Sequence, residues 1–127
     1  MKTKKLTDEQ ILDKLLNADV ELPSKEVFVK RLEIPLLIQG ISETEIEKIQ
    51  RKNTFKDKLN IEDFNLDYIV ACIKKPDFNN ERLLKKYSVS SAKEVLKRMF
   101  LPGELAQIKL IADELNGFED SVEEIKN

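Results

Sequence analysis

The segment from Asn60 to Lys75 constrains the fold most. Ile61, Phe64, Tyr68 and Cys72 recur at helical spacing on one side, and Leu66, Ile69, Val70 and Ile73 cover much of the rest. A helix that is apolar nearly all round must be wrapped by other elements, because water on any side would leave aliphatic surface exposed. Asn60 is placed to cap it, and Pro76, which lacks an amide hydrogen and clashes with the preceding turn, stops it. The spacing therefore predicts a central core helix running to about Lys75. The run from Tyr68 to Ile73 also fits a buried strand, which periodicity alone does not separate from a helix; the length of the whole pattern favours helix.

The flanking sequence supplies the wrapping. Three capping boxes open helices: Thr7 with Gln10, Ser42 with Glu45, and Ser91 with Glu94. The first helix carries Ile11, Leu12, Leu15 and Leu16; the second carries Ile46 and Ile49; the third turns Val95, Leu96, Met99 and Phe100 inward. A short helix is expected from Glu81 to Tyr87. Pro102 sits at the first turn of a last long helix with Leu105, Ile108, Ile111, Ala112 and Leu115, which Asn116-Gly117 terminates.

Residues 26–32 alternate as a strand does, with Val27, Val29 and Arg31 on one face and Phe28, Lys30 and Leu32 on the other. A second apolar run from Ile34 to Ile41 makes a hairpin over 26–41, with Pro35 at a strand start or an edge. A lone hairpin is marginal in water, so it must lie on helices or pair with another chain. Residues 53–60 read as a mobile loop. The expectation is a mainly α (α+β) single domain over 1–127, with five to six helices and one hairpin in its N-terminal half. Residues 1–5 form a flexible start, 42–116 the helical core, and 118–127 a short, acidic, weakly helical end.

Composition excludes several chemistries. There is no histidine, which removes the usual base of serine and cysteine hydrolases, the common zinc ligand and the switch near neutral pH. The single cysteine, Cys72, permits no internal disulfide and sits among Ile69, Val70 and Ile73 as a core thiol. The three glycines are isolated, so no phosphate-cradling loop exists. The acidic pairs lie near helix starts, where the macrodipole accounts for them. No catalytic, metal or cofactor residues are assigned. The stretch from Arg82 to Arg98 is basic and that from Asp113 onward acidic; two solvated faces explain both, and a nucleic-acid footprint fits poorly with a net charge of −2. No apolar run approaches the roughly 18 residues of a membrane helix. The start is basic but then polar, unlike a signal peptide, which points to the cytoplasm.

The order of features from Val27-Phe28-Val29-Lys30-Arg31-Leu32-Glu33-Ile34-Pro35, through Ile41-Ser42-Glu43-Thr44-Glu45-Ile46, Leu83-Leu84-Lys85-Lys86-Tyr87 and Leu101-Pro102-Gly103-Glu104, to Gly117-Phe118 and Val122-Glu123-Glu124-Ile125-Lys126-Asn127 resembles the XkdN-like tail assembly chaperones of phages and defective prophages of Gram-positive bacteria. The resemblance spans about Leu6 to the C-terminus. It implies a non-enzymatic protein of the host cytoplasm, absent from the mature virion, that binds the tape-measure protein while tail-tube protein polymerises around it. It also implies that this chain corresponds to the short form of a frameshifted pair. It carries no catalytic residues, no cofactor, no nucleic acid and no membrane. On this reading the partner contact falls on the last long helix, at Leu105, Ile108, Ile111 and Leu115, or on the hairpin face of Val27, Val29 and Arg31; plain core packing competes for the same helix residues. A homo-oligomer is compatible with the hairpin's need for cover. The alternatives are a head–tail or baseplate adaptor and a small DNA-binding regulator.

Overall fold

A computed structural model describes residues 5–19, 21–119 and 121–125 of the chain. Strands β1 (Ser24–Val29) and β2 (Ile34–Gln39) form the expected hairpin, antiparallel with Val29 opposite Ile34 and Ser24 opposite Gln39. The turn between them is Lys30 to Glu33, with Glu33 in the left-handed region at φ 54° and its N–H on the Lys30 carbonyl at 3.3 Å. Leu36 and Ile38 on β2 are fully buried, and burial of this kind contributes about 1.5–3 kcal/mol per side chain.

Residues 53–60 are not a plain loop. Strands β3 (Thr54–Phe55) and β4 (Lys58–Leu59) make a second, minimal hairpin. Lys56 and Asp57 both take positive φ, 50° and 63°, the geometry of a tight two-residue hairpin turn. Asn-Gly would have announced this turn; Lys-Asp does not.

Helix α1 (Asp8–Leu16) precedes the hairpin, and α2 (Glu43–Lys52) follows it. The central helix, α3 (Ile61–Cys72), is capped by Asn60, whose side chain accepts the Asp63 N–H at 3.1 Å. It buries Leu66, Tyr68, Ile69 and Cys72, as its pattern requires. It ends three residues short of Lys75. Ile73–Lys75 leave the helix as strand β5, which pairs antiparallel with β2 and completes a three-stranded sheet in the order β1-β2-β5. So Tyr68–Cys72 are helical, as the length of the pattern favours, and a strand that the pattern did not give begins only at Ile73. The third strand also explains why Pro35 is tolerated in a central strand. By the register its nitrogen faces away from β1, along a stretch that β5, cut off at Pro76, does not reach.

Helices α4 (Glu81–Tyr87), α5 (Ala92–Met99) and α6 (Pro102–Leu115) complete the domain. Helices α2, α5 and α6 pack on α3, α4 packs on α5, and α6 also lies against β1 and β2. Val95 and Leu96 are fully buried, and Phe78 meets Phe100 edge to face with ring centroids 5.8 Å apart. The capping expectations divide. Thr7 and Gln10 form the full reciprocal box, and Ser42 accepts the Glu45 N–H. Ser91 makes no cap bond; its hydroxyl is buried without a partner, while the Glu94 carboxylate receives the Ser90 N–H at 3.5 Å.

At the end of α6 the Phe118 N–H bonds to the Asp113 carbonyl at 3.0 Å and the Gly117 N–H to the Glu114 carbonyl at 3.1 Å. Gly117 supplies the positive φ, 78°, that this six-to-one closure needs. Residues 121–125 are exposed and carry no helix, so the weakly helical end is not seen over that stretch. The flexible start falls, apart from the exposed Lys5, outside the described residues. Among the described residues no helix is long and apolar enough to cross a membrane.

Candidate functional site

Both sequence-nominated surfaces meet in one place. Val27, Val29 and Arg31 line a cleft of about 390 Å³ together with Ile108 and Ile111, because α6 lies across the β1 side of the sheet. Leu101, Glu104 and Gln107 complete its helix wall. The seven candidates are not equally available. Ile108 is 4% exposed and Val29 8%, so both already serve the core. Val27, Ile111 and Leu115 are half-buried and packed against it. Leu105 turns to the other side of α6. There it joins Leu66, Ile69, Phe100, Pro102 and Ala106 in a second apolar cleft of about 460 Å³ between α3, α5 and α6.

Arg31 is engaged within the chain. Its guanidinium donates to both Glu104 carboxylate oxygens, Nη2 at 2.8 Å and Nε at 3.1 Å, and Nη2 also donates to the Met99 carbonyl at 2.7 Å. Glu104 in turn accepts the Leu101 N–H at 2.7 Å. The side chain therefore clasps the hairpin tip to the start of α6. The Arg31 hydrogen bond, with that of the Leu101 amide, holds the Glu104 carboxyl below its ordinary 4.5, and Glu104 raises the Arg31 guanidinium.

A run of four exposed aliphatic side chains lies elsewhere, on α1. None of its nine residues is buried. Ile11, Leu12, Leu15 and Leu16 form its stripe, with Leu15 68% and Leu16 73% exposed. The sequence pattern identified the stripe as a helix face, but nothing in a periodicity tells whether the chain itself covers that face. Phe55 on β3 and Ile61 at the start of α3 are exposed as well.

The polar groups have structural employment. Lys93 reaches Asp63 and Asp67 at 4.0 and 3.8 Å, and Lys97 reaches Glu62 at 3.5 Å, so part of the basic stretch faces the acids at the start of α3. Asn116, read from sequence only as a helix stop, is the junction of the domain. Its Oδ1 accepts the Ile41 N–H at 2.7 Å, and its Nδ2 donates to Tyr68 Oη at 2.8 Å and the Ala112 carbonyl at 3.0 Å, lying 3.7 Å from Cys72 Sγ. Burial pushes the Cys72 thiol up to about 11 and raises the Tyr68 phenol as well, the opposite of what a nucleophile needs. Among the described residues no three His, Cys, Asp or Glu side chains converge on a point where a metal ion could sit.

The fold is that of a small helical domain with a short sheet, apolar clefts and, among the described residues, an amphipathic helix left exposed. The comparisons make that specific. Residues 12–127 match the model of the phage XkdN-like tail assembly chaperone family, and the chain belongs to that family. A curated relative is the phage-like element PBSX protein XkdN of Bacillus subtilis (strain 168), 28% identical over 120 residues, which span 85% of this chain and 81% of the relative. The crystal structure of the protein yqbn shares the fold, with a TM-score of 0.67, 23% identity, and coverage of 93% of this chain and 100% of that one.

Proposed function

We propose that this protein is a non-catalytic chaperone that binds the tape-measure protein in the host cytoplasm and keeps it soluble while tail-tube protein assembles around it. Membership of the tail assembly chaperone family gives the setting. The observation that carries the reading is α1, a helix with four large aliphatic side chains and no buried residue. Helix-in-groove contact is the physical route: an apolar stripe at helical spacing covers a complementary stripe on a partner helix. The cleft around Leu105 supplies a second apolar surface, and the partly accessible Val27 and Ile111 a third. Ile108, Val29 and Arg31 then act as supports that shape the surface from beneath.

Co-expression with a tape-measure protein encoded beside this chain tests the proposal. The chaperone reading expects a rise in soluble tape-measure protein and recovery of a complex that Leu12→Asp/Leu15→Asp abolishes. No rise and no complex would overturn it. Detection of the chain in purified particles would favour an adaptor instead.

A further inference from the structure

We propose that the segment after α6 folds back as a short amphipathic helix and docks, within the same chain, into the groove over the start of α3. The floor of this groove is the stripe Ile61, Phe64 and Tyr68, which helical spacing puts on one face of α3. Cover fades along the stripe: Tyr68 is 3% exposed, Phe64 half-buried and Ile61 66% exposed. Helix α2 forms one wall and α6 the other. Phe118, itself 65% exposed, stands at the covered end. It lines a cleft of about 250 Å³ with Ile46, Phe64, Tyr68, Lys109 and Asp113, and a second cleft with Ile46 and Gln50. Helix α6 runs alongside α3 in the same sense, since Asn116 bonds Tyr68 while Leu105 and Ala106 share a cleft with Glu62 and Leu66. The turn at Gly117 brings Phe118 back beside Lys109 and Asp113, which turns the chain toward the open, Ile61 end of the groove.

The segment matches the groove in spacing and in charge. Phe118, Val122 and Ile125 are separated by four and three residues, one face of a helix; Tyr68, Phe64 and Ile61 are separated by four and three in the opposite direction. Two such stripes, laid antiparallel, each run for about 10 Å at 1.5 Å per residue and meet residue for residue. With Phe118 beside Tyr68, Val122 falls on Phe64 and Ile125 on Ile61. Glu119, Glu123 and Glu124 then stay on the solvent side. The open end of the groove is basic. Arg51 lies one turn beyond Glu47 on the face of α2 that meets Phe118, and Lys56 and Lys58 belong to the hairpin that joins α2 to α3, against Asp57 alone. Among the described residues none of these three cations is in an ion pair, and Glu62 and Asp63 face α5, where Lys97 and Lys93 meet them. In the structure the segment lies off the groove, with Val122 92% exposed and no helix over residues 121–125. A helix this short does not hold in water without a face to lie on. Phe118 is covalently part of the segment and already seated at the groove's end, so the chain's own segment reaches the site at high effective concentration, ahead of any other copy's.

Amide exchange of the full chain, followed by NMR with no partner present, tests the docking separately from the tape-measure reading. The amides of Val122 to Ile125 are expected to exchange about fivefold more slowly than in an unstructured peptide, a local protection that dilution leaves unchanged. Val122→Asp and Ile61→Asp, on opposite sides of the contact, should each abolish that protection. Both side chains are exposed, so both variants fold. Arg51→Glu/Lys58→Glu should lower it about threefold, the size of effect that exposed ion pairs have. Exchange at the rate of an unstructured peptide, protection indifferent to Ile61→Asp or to the double charge reversal, or protection that falls on dilution because another copy's segment is the occupant, would each overturn the proposal.

Discussion

Helices α3 and α1 carry aliphatic residues at the same spacing, yet Leu66 and Ile69 are buried while Leu15 and Leu16 face water. The difference is one of reciprocity. The stripe of α3 is answered within the chain by Val95, Leu96 and Ile108 on the neighbouring helices. Among the described residues the stripe of α1 has no such answer. A helix of nine residues is also shorter than the roughly 12–15 that hold alone in water. Its reciprocal Thr7–Gln10 box ties down its first turn, and a partner's apolar surface would supply the rest. An amphipathic pattern therefore identifies a face; whether that face is core or interface depends on what else the chain folds against it.

The contrast can be broken most severely from the core side. Leu96→Ala should cost about 2–5 kcal/mol in urea unfolding, since a fully buried leucine leaves a cavity as well as lost transfer energy. Asn116→Ala should cost about 1–3 kcal/mol by the same measurement, because the Ile41 N–H and the Tyr68 hydroxyl each lose a partner at a part-buried site. Thr7→Ala should loosen α1 by about 1 kcal/mol, read as local amide exchange in residues 8–16, with the global unfolding midpoint unmoved. Leu15→Asp sharpens the comparison further: global stability stays within about 0.5 kcal/mol while tape-measure capture is lost. A large global loss from either α1 variant would mean that α1 is part of the core after all.

A pH series isolates the Arg31–Glu104 clasp. The Glu104 carboxyl is lower in the folded chain than its ordinary 4.5, so its contribution is fully present above that value and disappears as pH falls through the folded-state value. Glu104→Gln should therefore lower Tm slightly at pH 7, and the gap should close in acid. A gap that persists unchanged at low pH would show that the clasp holds by packing rather than by charge.

Most of the helical architecture was legible because its signals are local: caps, prolines and helical spacing each act within one turn. Thr7, Ser42, Asn60 and Pro102 mark their helix starts correctly. What escaped depended on tertiary context. Ile73 continues the apolar pattern of α3, so only the presence of an unpaired side of β2 makes it a strand. Lys56-Asp57 adopts a turn whose usual residues it lacks. Ser91 has the cap sequence, yet its hydroxyl goes unused. That Val27, Val29 and Arg31 face Ile108 and Ile111 across one cleft, while Leu105 turns to the other side of α6, follows from how α6 crosses β1, which no local pattern states. Asn116 looked like punctuation and proved to be a tie between distant segments.

The direct passage from Cys72 to Ile73 has a mechanical consequence. With no connecting residue between α3 and β5, helix and sheet are joined directly at the centre of the domain. A tilt of α3 must drag the ladder on β2, and a slipped ladder must wrench α3 out of its bed. Because α6 also packs on both α3 and β2, residues 24–116 should lose structure in one concerted step.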